Sequence, residues 1–468
     1  MSSVRPALPP DGNSPSLRAR LDRLPVRGPV LLVIVVAAVS YAFEFADMLA
    51  LGSVSAPVQK ELGISLSQFG TVVSATYLGL MIGASSAGWI ADRWGRKRIL
   101  IAGHVVTALA SLAAALATGQ GSLLIARLAG GIGMGTLYVI ALTYLVELVP
   151  SHRRGAAVAG TYFVGSLAVT GITAFARVVV PSGPDGWRFV FGIGVIGILT
   201  LFALFRLPES PTWLKSRGLR EEAEAAVAKL ERAATRGGTA LPEPVATVEP
   251  AAPAGPGSPA TTFLRAGLVH PLVLLMLIWI AQTAIVQLMA TWVPTILGLR
   301  GFSVERSLTV STLLTIGTLV GSLAATFLAK RVQGLRAAVV LASLCAVAGG
   351  LLGFTGDVTL VILCGSVHAI LFGVFSPLLN RITSEQWPTE LRGRGSGLAY
   401  SAGRLAAIAL PLTFTAVVSS LGPDAFGWAL IVFWSVVVLG CAALAQLRRN
   451  RRGSQGSAQL SVRQLAKD

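Results

Sequence analysis

The sequence predicts an all-α membrane protein in which twelve spanning helices form two pseudo-symmetric six-helix bundles. Three observations predict it. Of 468 residues, 53% are hydrophobic and only 13% charged, about half the roughly 25% charged share of a soluble domain, and the mean hydropathy is +0.71. Twelve apolar segments reach the ~20 residues that cross a bilayer core, at approximately 30–55, 68–91, 98–118, 121–148, 155–180, 187–207, 266–297, 307–330, 335–354, 357–380, 393–420 and 425–446. Third, the chain repeats itself. Glu147, Pro150, Arg154 and Gly155 recur as Glu385, Pro388, Arg392 and Gly393, each displaced by 238 positions. Gly63 and Gly301, Arg93 and Arg331, and Arg98 and Arg336 share that displacement. One apolar unit has been copied, the usual build of secondary transporters, with the substrate held between the copies.

The elements follow in order. Residues 1–29 form a polar tail with five Arg and no pattern of a cleavable signal. The first bundle covers 30–207, with a very short turn at 118–121 between its third and fourth segments. A central loop covers 208–265. Within it, residues 218–234 read as a short amphipathic helix, and the Pro/Ala/Gly-rich stretch 241–260 reads as disordered. The second bundle covers 266–446, with its own short turn at 353–357. A basic tail, 447–468, reads as a membrane-surface anchor.

The charges set the orientation. With the N-terminus inside, 31 of the 38 Lys and Arg fall on the cytoplasmic side and five on the other, with Arg127 and Arg404 inside segments. The positive-inside rule therefore places both termini in the cytoplasm of a cell-membrane protein. The same count explains the net charge of +17 without nucleic acid. Cys345, Cys364 and Cys441 lie in apolar runs without metal-ligand spacing, so packing accounts for them. No phosphate-binding loop or paired catalytic carboxylate occupies the loops, so neither an enzyme nor a cofactor is expected. The expected partners are a small-molecule substrate, protons and the lipid bilayer around a monomer.

Between the second and third segments stands Gly88-Trp-Ile-Ala-Asp92-Arg93-Trp-Gly95-Arg96-Lys97-Arg98. With it the chain resembles the major facilitator superfamily, whose G-x-x-x-D-R-x-G-R-R/K signature sits at this place, and the resemblance runs from the first segment to the twelfth. Gly88 and Gly95 are expected to permit close packing and a tight turn, and Asp92 to pair with Arg residues of the loop after segment 4. The resemblance implies a gate built from Gly88, Asp92, Arg93, Gly95, Arg96, Glu147, Arg154, Glu385 and Arg392 that breaks as the halves rock. The second copy is degraded, with Ala329-Lys330-Arg331 in place of Ala91-Asp92-Arg93. Arg127 through Gly135 resembles the superfamily's R-x-x-x-G-x-G-x-G helix, whose glycines let neighbours approach. Pro208-Glu209-Ser210-Pro211-Thr212-Trp213-Leu214 resembles the P-E-S-P-R-W-L of sugar porters and of aromatic acid/proton symporters.

Charges inside a membrane are costly and functional by default. Glu44 and Asp47 lie three residues apart on one helix face. Asp47 is 17 residues beyond Val30, ~25 Å along a helix, and Arg127 is 20 residues from Glu147, ~30 Å. Both lie in the outer half, so the two are expected to pair. The placement resembles the proton-coupling pair of proton-driven sugar porters, an Asp that takes a proton when its Arg is drawn away; a static structural pair is the alternative. Arg404 is 12 residues beyond Arg392, ~18 Å into its segment, with no acidic residue of its own half at that depth. Either it holds an anionic substrate, because guanidinium grips carboxylate bidentately, or it pairs with the carboxylates of segment 1.

Set against the sugar porters, Gln282 and Gln287 keep two polar positions of segment 7. Tyr162, Asn380 and Arg404 stand where those relatives carry a sugar-binding Gln, a stacking Trp and a second Trp, which implies that hydroxyl recognition with aromatic stacking is lost. Glu44 and Asp47 partly match the D-G-x-D of the aromatic acid symporters. His368 either lines the cavity or is a hydrogen-bonded core residue; His104 and the tyrosines 138, 144 and 400 read as packing. The expected function is proton-coupled symport of a small organic anion by alternating access. The alternatives are proton-driven drug or metabolite efflux, sugar or polyol symport and, from another class, a transport-dead sensor on the same scaffold.

Overall fold

A computed structural model describes residues 16–235, 241–244, 263, 267–328, 331–388 and 391–465, the side chains at 392, 393 and 451–465 excepted. Twelve helices among the described residues are long and apolar enough to cross a membrane. They are α1 (Pro29–Ser53), α2 (Leu66–Trp94), α3 (Arg96–Ala115), α4 (Gln120–Leu148), α5 (Ser151–Ser182), α6 (Gly186–Arg206), α7 (Val269–Leu299), α8 (Val304–Leu328), α9 (Gly334–Phe354), α10 (Val358–Glu385), α11 (Arg394–Leu421) and α12 (Ala425–Asn450). No strand occurs among the described residues.

Local chemistry sets the ends. Pro29 opens α1 at a position where its missing N–H is no loss. Ser65 and Gln68 form a reciprocal capping box at the start of α2. Side-chain capping recurs in the second half, where Asp357 accepts from the Leu360 N–H at 2.9 Å to start α10. The repeat seen in the sequence is a repeat in backbone shape: Gly63 and Gly301, at φ +63° and +84°, both turn the chain into the following span. α7 is interrupted by a π-helical turn, Leu288–Trp292, just before Pro294.

The halves pack alike. Within the first, α1 lies on α5, α2 on α4 and α3 on α6; within the second, α7 lies on α11, α8 on α10 and α9 on α12. Glycines permit the closest approaches. A Cβ at Gly131 or Gly135 would sit on the carbonyl oxygens of Thr76 or Leu80 in α2, and one at Gly321 on that of Ile370 in α10. Gly88 is different: it is exposed, with nothing within 4 Å of where a Cβ would be. The close packing expected there does not occur.

The halves meet through α2 with α11, α5 with α8, and α1 with α7. These contacts concentrate toward the face opposite the chain termini, hereafter the distal face. A Cβ on Gly52 would come 2.6 Å from the Ala290 carbonyl oxygen of the π-helical turn. The Ser55 and Thr295 hydroxyls lie 2.6 Å apart, and Ser74 donates to the Ile408 carbonyl at 2.9 Å. At mid-depth Tyr162, Asn380 and Tyr400 remain exposed between the halves.

On the terminal face the expected loop helix is present as Arg220–Thr235. It is clasped to a short helix in the N-terminal tail, Leu17–Asp22, by Glu231, which accepts from Arg20 at 2.5 Å and Arg23 at 2.7 Å. Burial pushes the Glu231 carboxyl up, but the two guanidinium hydrogen bonds outweigh it and hold the group below its ordinary value. The stretch expected to be disordered, apart from 241–244, lies outside the described residues, as do Ala329 and Lys330. The last helix continues past the expected boundary at 446 to Leu465.

Candidate functional site

Asp47 and Arg127 meet as the depth arithmetic requires. The guanidinium donates through both terminal nitrogens to both carboxylate oxygens, at 2.8 and 2.5 Å. The Arg127 side chain is 2% exposed and that of Asp47 10%. Arg127 also donates to the Thr76 hydroxyl at 3.3 Å and lies 5.2 Å from the centre of the Phe191 ring. A fork-to-fork pair at this burial is both strong and costly to break one-sidedly.

Glu44 does not join that pair. Its side chain is buried, one carboxylate oxygen has no hydrogen-bond partner, and the cation that acts on it electrostatically is Arg404 from across the interface. Arg404 is half-buried and forms no ion pair among the described residues. Its guanidinium carbon lies 5.0 Å over the Tyr138 ring of α4, a cation–π contact between the halves. Tyr138 belongs to an aromatic cluster with Tyr41, Phe45 and Tyr162; Tyr41 donates to the Tyr138 carbonyl at 3.2 Å. Facing it from the second half, Trp279 and Tyr400 stack edge to face at 4.3 Å, and Tyr400 donates to the Asn380 side-chain oxygen at 2.6 Å. Rings nonetheless line the interface: Tyr162 stands at one of the positions compared with the sugar porters, and Tyr138, Trp279 and Tyr400 stand at others. Tyr138 and Tyr400, read as packing, belong to this surface.

The two glutamines diverge. Gln287 is buried at the seam between halves, accepting from the Tyr77 hydroxyl and donating to the Ala407 carbonyl at 3.3 Å. Gln282 is buried with its side-chain oxygen unpartnered. His368 is both things the sequence allowed. It accepts from the indole N–H of Trp434 at 3.0 Å, and it lines a cavity of about 220 Å³ between α1, α5, α7, α8 and α10. His104 is buried beside the Ser40 hydroxyl at 3.0 Å.

The terminal-face residues form a network, with one expected partner replaced. Asp92 pairs with Arg96, at 2.8 Å one turn on, and not with the loop after α4. Arg96 reaches on to Glu147 at 3.4 Å. Arg154 donates to the Val149 carbonyl at 3.4 Å, and Arg93 is exposed. The residue missed from sequence is Glu209, whose carboxylate accepts from the backbone N–H groups of Arg96 and Lys97, both at 3.0 Å. It caps the N-terminus of α3, where an anion meets unsatisfied donors and the positive end of the helix dipole. Gly95, at φ +99°, makes the turn possible, because a Cβ there would collide with Glu209. Trp213 locks the same joint by donating to the Asp92 carbonyl at 2.8 Å. The signal was present in Pro208–Leu214 but gave no partner. In the second half Glu385 pairs with Arg381 at 2.7 Å; the Arg392 side chain lies outside the described residues.

The family pattern described as Major Facilitator Superfamily matches residues 35–411 and 310–466. A metabolite transport protein of Bacillus subtilis strain 168, YyaJ, is 33% identical over 397 residues, 83% of this chain and 86% of that protein. The niacin transporter NiaP of Acinetobacter baylyi is 26% identical, covering 93% of this chain and 98% of its own length. A gallate transporter of Pseudomonas putida is 29% identical, covering 88% and 93%. Among solved structures, a D-xylose-proton symporter superposes with a TM-score of 0.68 at 20% identity, over 89% of this chain and 97% of that one.

Proposed function

The chain belongs to the major facilitator superfamily, a family of transporters and not of enzymes, and from that premise we propose that it carries a small organic anion by proton-coupled symport. The observation that carries the anion is Arg404: a permanent cation at mid-membrane, half-buried, resting on a ring of the opposite half with no carboxylate bonded to it. A substrate carboxylate would supply that partner, and the rings of Tyr138, Tyr162, Trp279 and Tyr400 would receive a flat, apolar body. Relatives named for niacin and gallate, both aromatic carboxylic acids, support this substrate class.

Asp47 and Arg127 are assigned the coupling role. The pair lies near the closed seam, and substrate-driven rocking would draw Arg127 away and leave Asp47 to take a proton. Under the positive-inside orientation the terminal face is cytoplasmic, both termini are inside the cell, and the conformation seen is open inward. The Asp92–Arg96–Glu147–Glu209 network is assigned the gate. It holds the α2–α3 joint rigid so that the first half moves as one body. The division into a tail (1–29), two bundles (30–207 and 266–446), a joining loop (208–265) and a basic tail (447–468) fits this motion. The test is uptake into proteoliposomes of labelled nicotinate and benzoate with an imposed proton gradient, set beside the corresponding amides. The acids are expected to accumulate and the amides to compete poorly; amides that compete as well as the acids would refute the anion.

A further inference from the structure

The cavity lined by His368 combines apolar walls with a set of hydroxyl groups. Its walls come from both halves: Phe45 and Leu49 from α1, Val169 from α5, Met289 from α7 and Phe372 from α10 supply the apolar surface. Six hydroxyls also line it. Each has a carbonyl of its own helix to donate to: Ser53 to Leu49, Ser166 to Tyr162, Thr173 to Thr170, Ser311 to Ser307, Thr315 to Thr312 and Thr318 to Leu314, at 2.8 to 3.2 Å. Thr173 and Thr315 also lie 3.4 Å apart, hydroxyl to hydroxyl. With the hydrogen spent in this way, a hydroxyl keeps acceptor capacity.

His368 is the opposite. Indole N–H only donates, so its 3.0 Å contact makes the imidazole Nε2 an acceptor. The ring hydrogen is then on Nδ1. His368 is 1% exposed, and Nδ1, itself enclosed, has no hydrogen-bond partner among the described residues. A buried donor left unmade costs about 1–3 kcal/mol, and here it belongs to a side chain lining an otherwise acceptor-rich cavity. Stacking of the imidazole on Phe372, at 6.3 Å and 19° between planes, holds the ring in place.

Resting on the transport reading above but not on Arg404, we infer that this cavity is a binding site for a hydroxyl-bearing ring. The hydroxyl oxygen accepts from His368 Nδ1–H and its hydrogen goes to a Ser or Thr oxygen. The size suits one ring: an engineered cavity of roughly 150 Å³ holds benzene, and this one is about 220 Å³. The site selects for the hydroxyl because a methyl of the same size would leave the donor unpaired.

Titration calorimetry of the purified full-length protein with 4-hydroxybenzoate and 4-methylbenzoate tests this. The native protein is expected to bind the hydroxy acid about tenfold tighter, the scale of one unmade buried hydrogen bond. His368→Phe should bring the two within about twofold, and Thr318→Val, which keeps shape and removes one acceptor, should lower the ratio less. Equal binding of both acids by the native protein, or a full tenfold preference surviving in His368→Phe, overturns the inference while leaving the anion reading intact. If neither acid binds, both readings fall. A fall in discrimination without loss of affinity for the methyl acid identifies recognition, which a folding defect would not produce.

Discussion

Arg127 and Arg404 are the same group within spanning helices of opposite halves, and the protein treats them in opposite ways. Arg127 is enclosed: both forks are spent on Asp47, a third nitrogen on Thr76, and Phe191 closes over it. Arg404 is half-buried, held only by the Tyr138 face, with Glu44 acting on it at a distance and no carboxylate bonded to it. The difference separates a charge neutralised by the chain from a charge left for something that arrives. It also separates the two acidic residues of α1, which share a helix face but not a partner.

The largest effect should come from removing the acidic half of the closed pair. Asp47→Asn is expected to abolish proton-driven accumulation in proteoliposomes while substrate exchange continues; undiminished uphill uptake would erase the distinction between the two arginines. Next is Arg404→Lys, which keeps the charge but loses the planar fork. Affinity for an aromatic acid should fall by tenfold or more, on the order of 1.4 kcal/mol, and Arg404→Ala should do at least as much. If Arg404→Ala binds the acid normally in calorimetry, Arg404 is not the substrate's partner and the contrast between the two arginines loses its meaning. A smaller effect is expected away from both. Glu209→Gln removes the anion capping α3 and should cost about 0.5–2 kcal/mol of stability, read as a lower melting temperature, and slow turnover with substrate affinity unchanged. An affinity loss at constant turnover would place Glu209 outside the gate.

The smallest effect belongs to an ion pair outside the membrane, the clasp of Glu231 on Arg20 and Arg23. Its carboxyl sits below the ordinary 4.5 in the folded protein. The stabilisation it supplies is therefore present above that value and lost as pH falls through the lowered one. Glu231→Gln should lower stability by about 0.5–1 kcal/mol at pH 7, as partly exposed pairs do, and the difference from native should vanish in acid. A gap that persists below pH 3 would mean the clasp is held by packing instead of charge.

The architecture was legible because it is periodic. Twelve apolar runs and a 238-residue repeat suffice for the helices, and helix rise alone placed Asp47 level with Arg127. What sequence could not supply was azimuth and distant partners. Rise gives Arg404 a depth but does not say that Tyr138 lies beneath it. The pairing of Glu209 with the start of α3 depends on how two segments more than a hundred residues apart fold over one another, whereas Asp92 with Arg96 is a local pair four residues apart, across the Gly95 turn. Gly88 failed for the same reason: its spacing is that of a packing glycine, but its face points away from any neighbour. Sequence does not single out Trp279, because it lies on α7, away from the helices that carry the compared Trp positions, and Tyr400 reads as packing because depth alone does not say which ring it meets.

The seam around Gly52, where backbone meets backbone with no side chain between, has an electrical consequence. In the inward-open reading proposed above, solution would reach mid-membrane from one face, and most of the membrane potential would fall across the closed half. A charge passing the seam then does nearly the full work, about 2.3 kcal/mol per elementary charge per 100 mV, over roughly half the bilayer thickness. Asp47 and Arg127 would stand in that concentrated field, and under the coupling role proposed for them the membrane voltage would act directly on the coupling step.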